Sequence, residues 1–70
     1  MKELAARLKH YRKRKLLTQN QVASSLGYKS FTTIQKWEDG SSEPPLSILY
    51  QLCDIYEVSF NVLVNGEAPI

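Results

Sequence analysis

The residues that build cross-links and metal sites are nearly missing from this chain. Its seventy residues hold one cysteine, Cys53, and one histidine, His10. An internal disulfide is therefore excluded, and a structural zinc ion would have too few soft ligands. No apolar run approaches the ~20 residues that a membrane span needs. The opening Met1-Lys2-Glu3-Leu4 carries no apolar signal core, so a cytoplasmic protein is expected rather than a secreted one. Paired carboxylates, a Ser/His/Asp set and a glycine-rich phosphate loop are also missing. A domain this small cannot enclose the pocket of roughly 300–1,000 Å³ that small-molecule ligands usually occupy. The expectation is no enzyme, no cofactor, no metal and no small-molecule substrate.

Cations are missing from the second half. Residues 1–38 hold all nine, Lys2, Arg7, Lys9, Arg12, Lys13, Arg14, Lys15, Lys29 and Lys36, against two acids, Glu3 and Glu38, a balance of +7. Residues 39–70 hold Asp39, Glu43, Asp54, Glu57 and Glu67, a balance of −5. A net charge of +2 thus hides a dipolar molecule, and the basic end suggests a polyanionic partner. A solvated basic helix would give the same charge pattern. What is present otherwise is ordinary for a folded domain: 43% hydrophobic and 23% charged residues.

Between the punctuation at Gly27, Gly40, Pro44-Pro45 and Gly66 the apolar spacing is helical. Leu4, Leu8 and Tyr11 form one stripe on a basic helix, 2–15. Thr18 is a good N-cap for a helix 19–26, and Gln21 stands where a capping box needs it. That helix would bury Val22, Ala23 and Leu26 and stop at Gly27. Ser30 can cap a helix 31–38, with Ile34 and Trp37 inward, ended by Gly40. Pro45 suits the first turn of a helix 46–57 that turns Leu46, Leu49, Leu52, Cys53 and Tyr56 to the core. Ser59 can cap a last helix, 60–64, with Phe60 and Leu63 inward. The expected fold is all-α, with residues 1–66 as one domain and 67–70 as a frayed tail.

Thr18 to Glu38 is the informative stretch. Two short helices are joined by a short link at Gly27, and small Ala23 lies four residues before that glycine, where two helices can cross closely. This is the arrangement of a helix-turn-helix, whose second helix enters the major groove.

The residues Leu17-Thr18-Gln19, Val22-Ala23, Leu26-Gly27, Ile34, Trp37-Glu38 and Gly40 resemble the phage repressor and Cro-like helix-turn-helix family, also called the XRE family. Pro44, Leu46, Leu49, Leu52-Cys53, Tyr56, Val58-Ser59 and Leu63 continue the pattern, which covers Leu4 to Val64. The resemblance implies a compact five-helix bundle of the lambda-repressor-like type. It implies that Gln19 touches a DNA phosphate and that Arg12 pairs with Glu38, tying the first helix to the third. It also implies phosphate contacts from the loop after the third helix, at Ser41 and Ser42. Three departures are visible. One extra residue lengthens the turn near Lys29-Ser30, Leu16 replaces a small or polar residue, and Asp39 and Glu43 stand where relatives often carry cations.

The phase of the third helix assigns its outer face. With Ile34 inward and ~100° per residue, Thr32 and Lys36 lie nearly opposite it, with Gln35 and Thr33 on the flanks. Thr32, Gln35 and Lys36 are therefore the expected base readers, and Ser30 and Thr33 the rim. Lysine can donate to guanine, glutamine can pair with adenine, and a threonine methyl can meet the thymine methyl. Tyr28 and Lys29 could reach the backbone from the turn, and Arg14 from the end of the first helix, with Arg7 and Lys13 adding to the field. Phe31 is expected to pack under the turn against Tyr28, with presentation of its ring edge to thymine as the alternative. Cys53 is expected to be a small buried hydrophobe and His10 a surface residue.

The expected function is a sequence-specific regulator of transcription, a repressor, binding double-stranded DNA as a dimer on a palindromic site. The dimer contact is expected within residues 57–66, at Val58, Val62 and Val64. A protein-interaction module or antitoxin-type regulator on the same scaffold is the alternative, separable by the salt dependence of duplex binding.

Overall fold

A computed structural model describes residues 2–67 and, among them, five helices and no strand: α1 (Lys2–Arg14), α2 (Gln19–Ser25), α3 (Thr32–Asp39), α4 (Leu46–Tyr56) and α5 (Phe60–Asn65). Each boundary lies within one residue of its sequence expectation. Of the tail expected to fray, residues 68–70 lie outside the described part, while the Glu67 N–H still donates to Asn61 O at 3.3 Å.

Leu4 and Leu8 of α1, Val22 and Ala23 of α2, Ile34 and Trp37 of α3, Leu49, Leu52, Cys53 and Tyr56 of α4, and Leu63 of α5 form one core. The helices contribute in proportion to their apolar stripes, and α1 packs along both α3 and α5. Cys53 is buried, which pushes its thiol pKa up and leaves it a packing residue. His10 is exposed, edge-on to Tyr11.

Three apolar assignments change. Leu46, expected inward, is 58% exposed, because Pro45 and Leu46 form the helix entry before the stripe of Leu49, Leu52, Cys53 and Tyr56 turns inward. Phe60 is half-buried and stacks on exposed Tyr50, with centroids 4.8 Å apart. Val62, expected at a dimer contact, is buried in its own chain, since the short α5 directs both Val62 and Leu63 inward. Val58 and Val64 are half-buried against the same core.

The helix ends share one device. After α2, Gly27 is left-handed (φ 83°), its N–H donates to Ser24 O, and the Tyr28 N–H returns to Ala23 O at 2.9 Å. This closure satisfies carbonyls that the helix itself leaves open. After α1 and α4 the left-handed residue is not glycine but Leu16 (φ 59°) and Glu57 (φ 53°). Glu57, expected inside the fourth helix, is thus its terminator.

Candidate nucleic-acid interface

α2 begins as its sequence demands. Thr18 Oγ1 accepts from the Gln21 N–H at 3.1 Å, and the Gln21 side chain accepts from the Thr18 N–H at 2.8 Å, a complete capping box. The Tyr28 ring turns edge-on to Trp37, 5.8 Å away, so the turn between α2 and α3 is pinned to the core. Phe31 does not share that packing. It is 41% exposed and borders the open groove between α1 and the start of α2, which corrects its expected place under Tyr28.

The start of α3 is capped one residue differently from its formal boundary. Phe31 already has helical dihedrals, and Ser30 Oγ accepts from the Thr32 N–H at 3.1 Å. Ser30 and Thr32 hydroxyls also pair at 2.8 Å. Thr32, Gln35 and Lys36 are exposed together on the outer face, with Ser30 exposed and Thr33 half-buried at the edge. Because the Thr32 hydroxyl is engaged by Ser30, its methyl is the group best placed to meet a partner.

The far end of α3 is clamped. Arg12 Nε donates to Glu38 Oε2 at 2.7 Å and its terminal nitrogen to Oε1 at 2.9 Å, a two-pronged bridge between α1 and α3. The third guanidinium donor reaches Leu17 O at 2.8 Å, fixing the approach to α2. The side chains are only 10% and 4% exposed. The hydrogen bond that Arg12 donates to Glu38 raises the Arg12 pKa, against the opposing effect of burial. Gln19 adds a fourth bond: its amide donates to Glu38 Oε1 at 3.1 Å. Gln19, expected at a phosphate, is thus half committed to α3, and retains one amide hydrogen and its carbonyl oxygen for an outside partner.

The loop after α3 is closed on itself. The Ser41 N–H donates to Lys36 O at 3.0 Å and to Asp39 Oδ1 at 2.8 Å, and the Ser42 N–H to Lys36 O at 3.3 Å. The Ser41 side chain, and then its backbone N–H, draw the Asp39 carboxyl below its usual range. The backbone N–H groups of Ser41 and Ser42 are therefore occupied, the Ser41 hydroxyl is turned to Asp39, and the exposed Ser42 hydroxyl is left for an outside partner.

The expected cations divide. Arg7 donates to Leu63 O and Val64 O, both at 2.6 Å, and caps the end of α5. Arg14 lies over the Tyr11 ring, 4.7 Å from its centroid. Lys29 and Lys36 are exposed. Two residues outside the expected set, Lys9 and Asn20, line an open groove of about 530 Å³ with Lys13, Thr18, Gln19 and Phe31. Lys9 also lines a second groove of about 230 Å³, beside Gln19, Gln35, Glu38 and Asp39. Helical spacing carried the signal: once Arg12 faces α3, Lys9 and Lys13, four apart, flank it on one side of α1.

Comparison with curated proteins and with solved structures finds no match for this chain. A family model described as Helix-turn-helix matches residues 8–63, from the middle of α1 to the middle of α5. The chain belongs to the helix-turn-helix family of the XRE, Cro-like type, a family of DNA-binding regulators.

Proposed function

We propose that this protein is a sequence-specific repressor of transcription that lays α3 in the major groove of duplex DNA. The supporting observation is the pairing of a clamped inner end with a free outer face. Glu38 is held by Arg12 and Gln19, while Thr32, Gln35 and Lys36 stand exposed. Thr32, Gln35 and Lys36 read base edges, with Ser30 and Thr33 at the rim. Gln19, Lys29 and Arg14 contact phosphates, with the Ser42 hydroxyl. Tyr28 contributes least of the expected contacts, because its ring covers Trp37.

One such helix reads about 4–5 base pairs, too few to mark a unique site, so a second copy is required on an inverted repeat. Within residues 57–66 the contact surface is Phe60, extended by Tyr50 and Leu46, since Val62 is interior. The protein acts in a bacterial or phage-infected cytoplasm.

Selection of bound duplexes from a random pool tests this reading. The expected product is an inverted repeat whose half-sites lie one helical turn apart. Exchange of Thr32, Gln35 and Lys36 should change the selected bases, whereas Arg14→Gln should weaken all sequences alike. A pool with no enriched sequence overturns specificity, and a single unrepeated half-site overturns the dimer.

A further inference from the structure

We propose that Lys9, with Lys13 one turn further along α1, grips the sugar–phosphate backbone of DNA, supplying the positive charge that the loop after α3 does not carry. The proposal rests on the DNA-binding reading above and adds a site to it.

Three observations carry it. Lys9 borders both open grooves, one shared with Lys13, Gln19 and Asn20 and the other with Gln35. A duplex whose bases meet Gln35 brings the strand at the groove's rim toward α1, because the major groove is only about 12 Å wide. Second, Arg7 is bonded to the α5 carbonyls, Arg12 to Glu38, and Lys15, just past α1, to Glu57, which leaves Lys9 and Lys13 beside Arg14 as the described α1 cations free to meet phosphate. Lys9 and Lys13 make no ion pair among the described residues. The two carboxylates beside Lys9 are themselves engaged within the protein, Glu38 by Arg12 and Gln19 and Asp39 by the Ser41 N–H. Third, the loop at 40–43 supplies no cation. Its backbone donors at Ser41 and Ser42 are bonded within the protein, and it is flanked by Asp39 and carries Glu43. A lysine is a mobile point charge suited to a phosphate, without the planar fork that reads a guanine edge bidentately. Lys9 and Lys13 therefore add affinity for any sequence and no specificity.

The test is anisotropy titration of a fluorescein-labelled duplex of mixed sequence at stepped potassium chloride, with the full chain and with Lys9→Gln, Lys13→Gln, the double variant and Lys15→Gln. All sites are on the surface of α1 or at its end, and Lys15→Gln changes net charge by the same amount on the side facing Glu57. Each lost phosphate contact should lower the slope of log K against log salt by about 0.9, so across a fourfold rise in salt the Lys9→Gln complex should weaken about 3.5-fold less than the parent complex. The double variant should show about twice that change in slope, and Lys15→Gln none. Parent binding with unchanged slopes in the Lys9 and Lys13 variants overturns this inference alone. An equal drop in Lys15→Gln overturns it too, as an effect of net charge. Failure of the parent chain to bind duplex DNA at low salt overturns the underlying reading and the inference with it.

Discussion

Among the described residues, two ion pairs tie α1 and the residue just past it to the rest of the molecule, and they differ in almost every respect that matters. Arg12–Glu38 is interior, two-pronged and shared with Gln19 and the Leu17 carbonyl. Lys15–Glu57 is a single contact, 32% exposed on one side and 71% on the other, joining the end of α1 to the end of α4. A charge in water gains little from a partner, because solvation already stabilises it. A charge out of water is costly without one, so the partner becomes indispensable even where the pair as a whole is no more stable than a pair of apolar side chains. The first pair therefore acts as a positional lock on the recognition helix, and the second as a minor fastening.

The sharpest way to break this contrast is to remove one member of the inner pair. Glu38→Ala strands the Arg12 guanidinium and the Gln19 amide, and should cost about 3–5 kcal/mol in urea denaturation. A domain of this length has roughly 4–10 kcal/mol in total, so much of its stability goes. A loss below about 1 kcal/mol would place this pair in the surface class. The double exchange Arg12→Met with Glu38→Leu sharpens the point. It should restore most of the stability and yet leave duplex affinity reduced, because apolar packing holds α3 without fixing its angle.

Tyr56 reports on the same interior from another direction. Its phenol is buried beside the pair, and burial, followed by the nearby Glu38 charge, drives its pKa up, with Arg12 opposing. A raised pKa means that the folded state favours the protonated phenol. The stability associated with that proton is complete below the unfolded value near pH 10 and is lost as pH rises above it. Thermal melts of the parent should fall above about pH 10, and Tyr56→Phe should remove this contribution to the slope. An identical decline in both proteins would assign alkaline unfolding to the lysines instead.

The fold was legible because its signals are local. Thr18 with Gln21, Ser59, Pro45 and Gly27 mark helix ends by chemistry that acts over three or four residues, and Ile34 fixes the phase of α3 by itself. The Arg12–Glu38 bridge was legible through the family pattern. What was not legible depends on which surface meets which. Nothing within a few residues of Gln19 announces that its amide bonds Glu38, nineteen positions away. Arg7 reads as one more cation of a basic helix until α5 sets its carbonyls above it. Val62 turns inward and Phe60 stays only half-buried because a six-residue helix has too few positions for periodicity to choose between them. Leu16 and Glu57 were invisible as helix stops because left-handed backbone is the habit of glycine and asparagine rather than of leucine or glutamate.

Of those two residues Leu16 adjoins the outer pair and Glu57 belongs to it, and Leu16 gives the next smaller effect. Leu16 is 89% exposed and left-handed, so its side chain buries almost nothing while its Cβ strains the backbone. Leu16→Gly should stabilise the protein by about 0.5–1 kcal/mol, since the left-handed strain relieved slightly outweighs the extra freedom glycine has when unfolded. A destabilised variant would mean that Leu16 makes apolar contacts in a partner or a second copy.

The smallest effect is expected at the outer pair itself, and there the sign is informative. Lys15 holds the Glu57 carboxyl below its usual range. Whatever the bridge contributes is therefore present above the ordinary carboxylate range and fades as pH falls through the lowered value. Lys15→Ala should leave the melting temperature unchanged within error at neutral pH. Glu57→Gly removes the bridge and relieves a left-handed glutamate at once. If the bridge is a minor fastening, strain relief prevails and the variant melts higher than the parent. If it melts lower at pH 7 and equally at pH 3, the bridge outweighs the strain of a left-handed residue, and the division between an inner lock and an outer convenience would have to be redrawn.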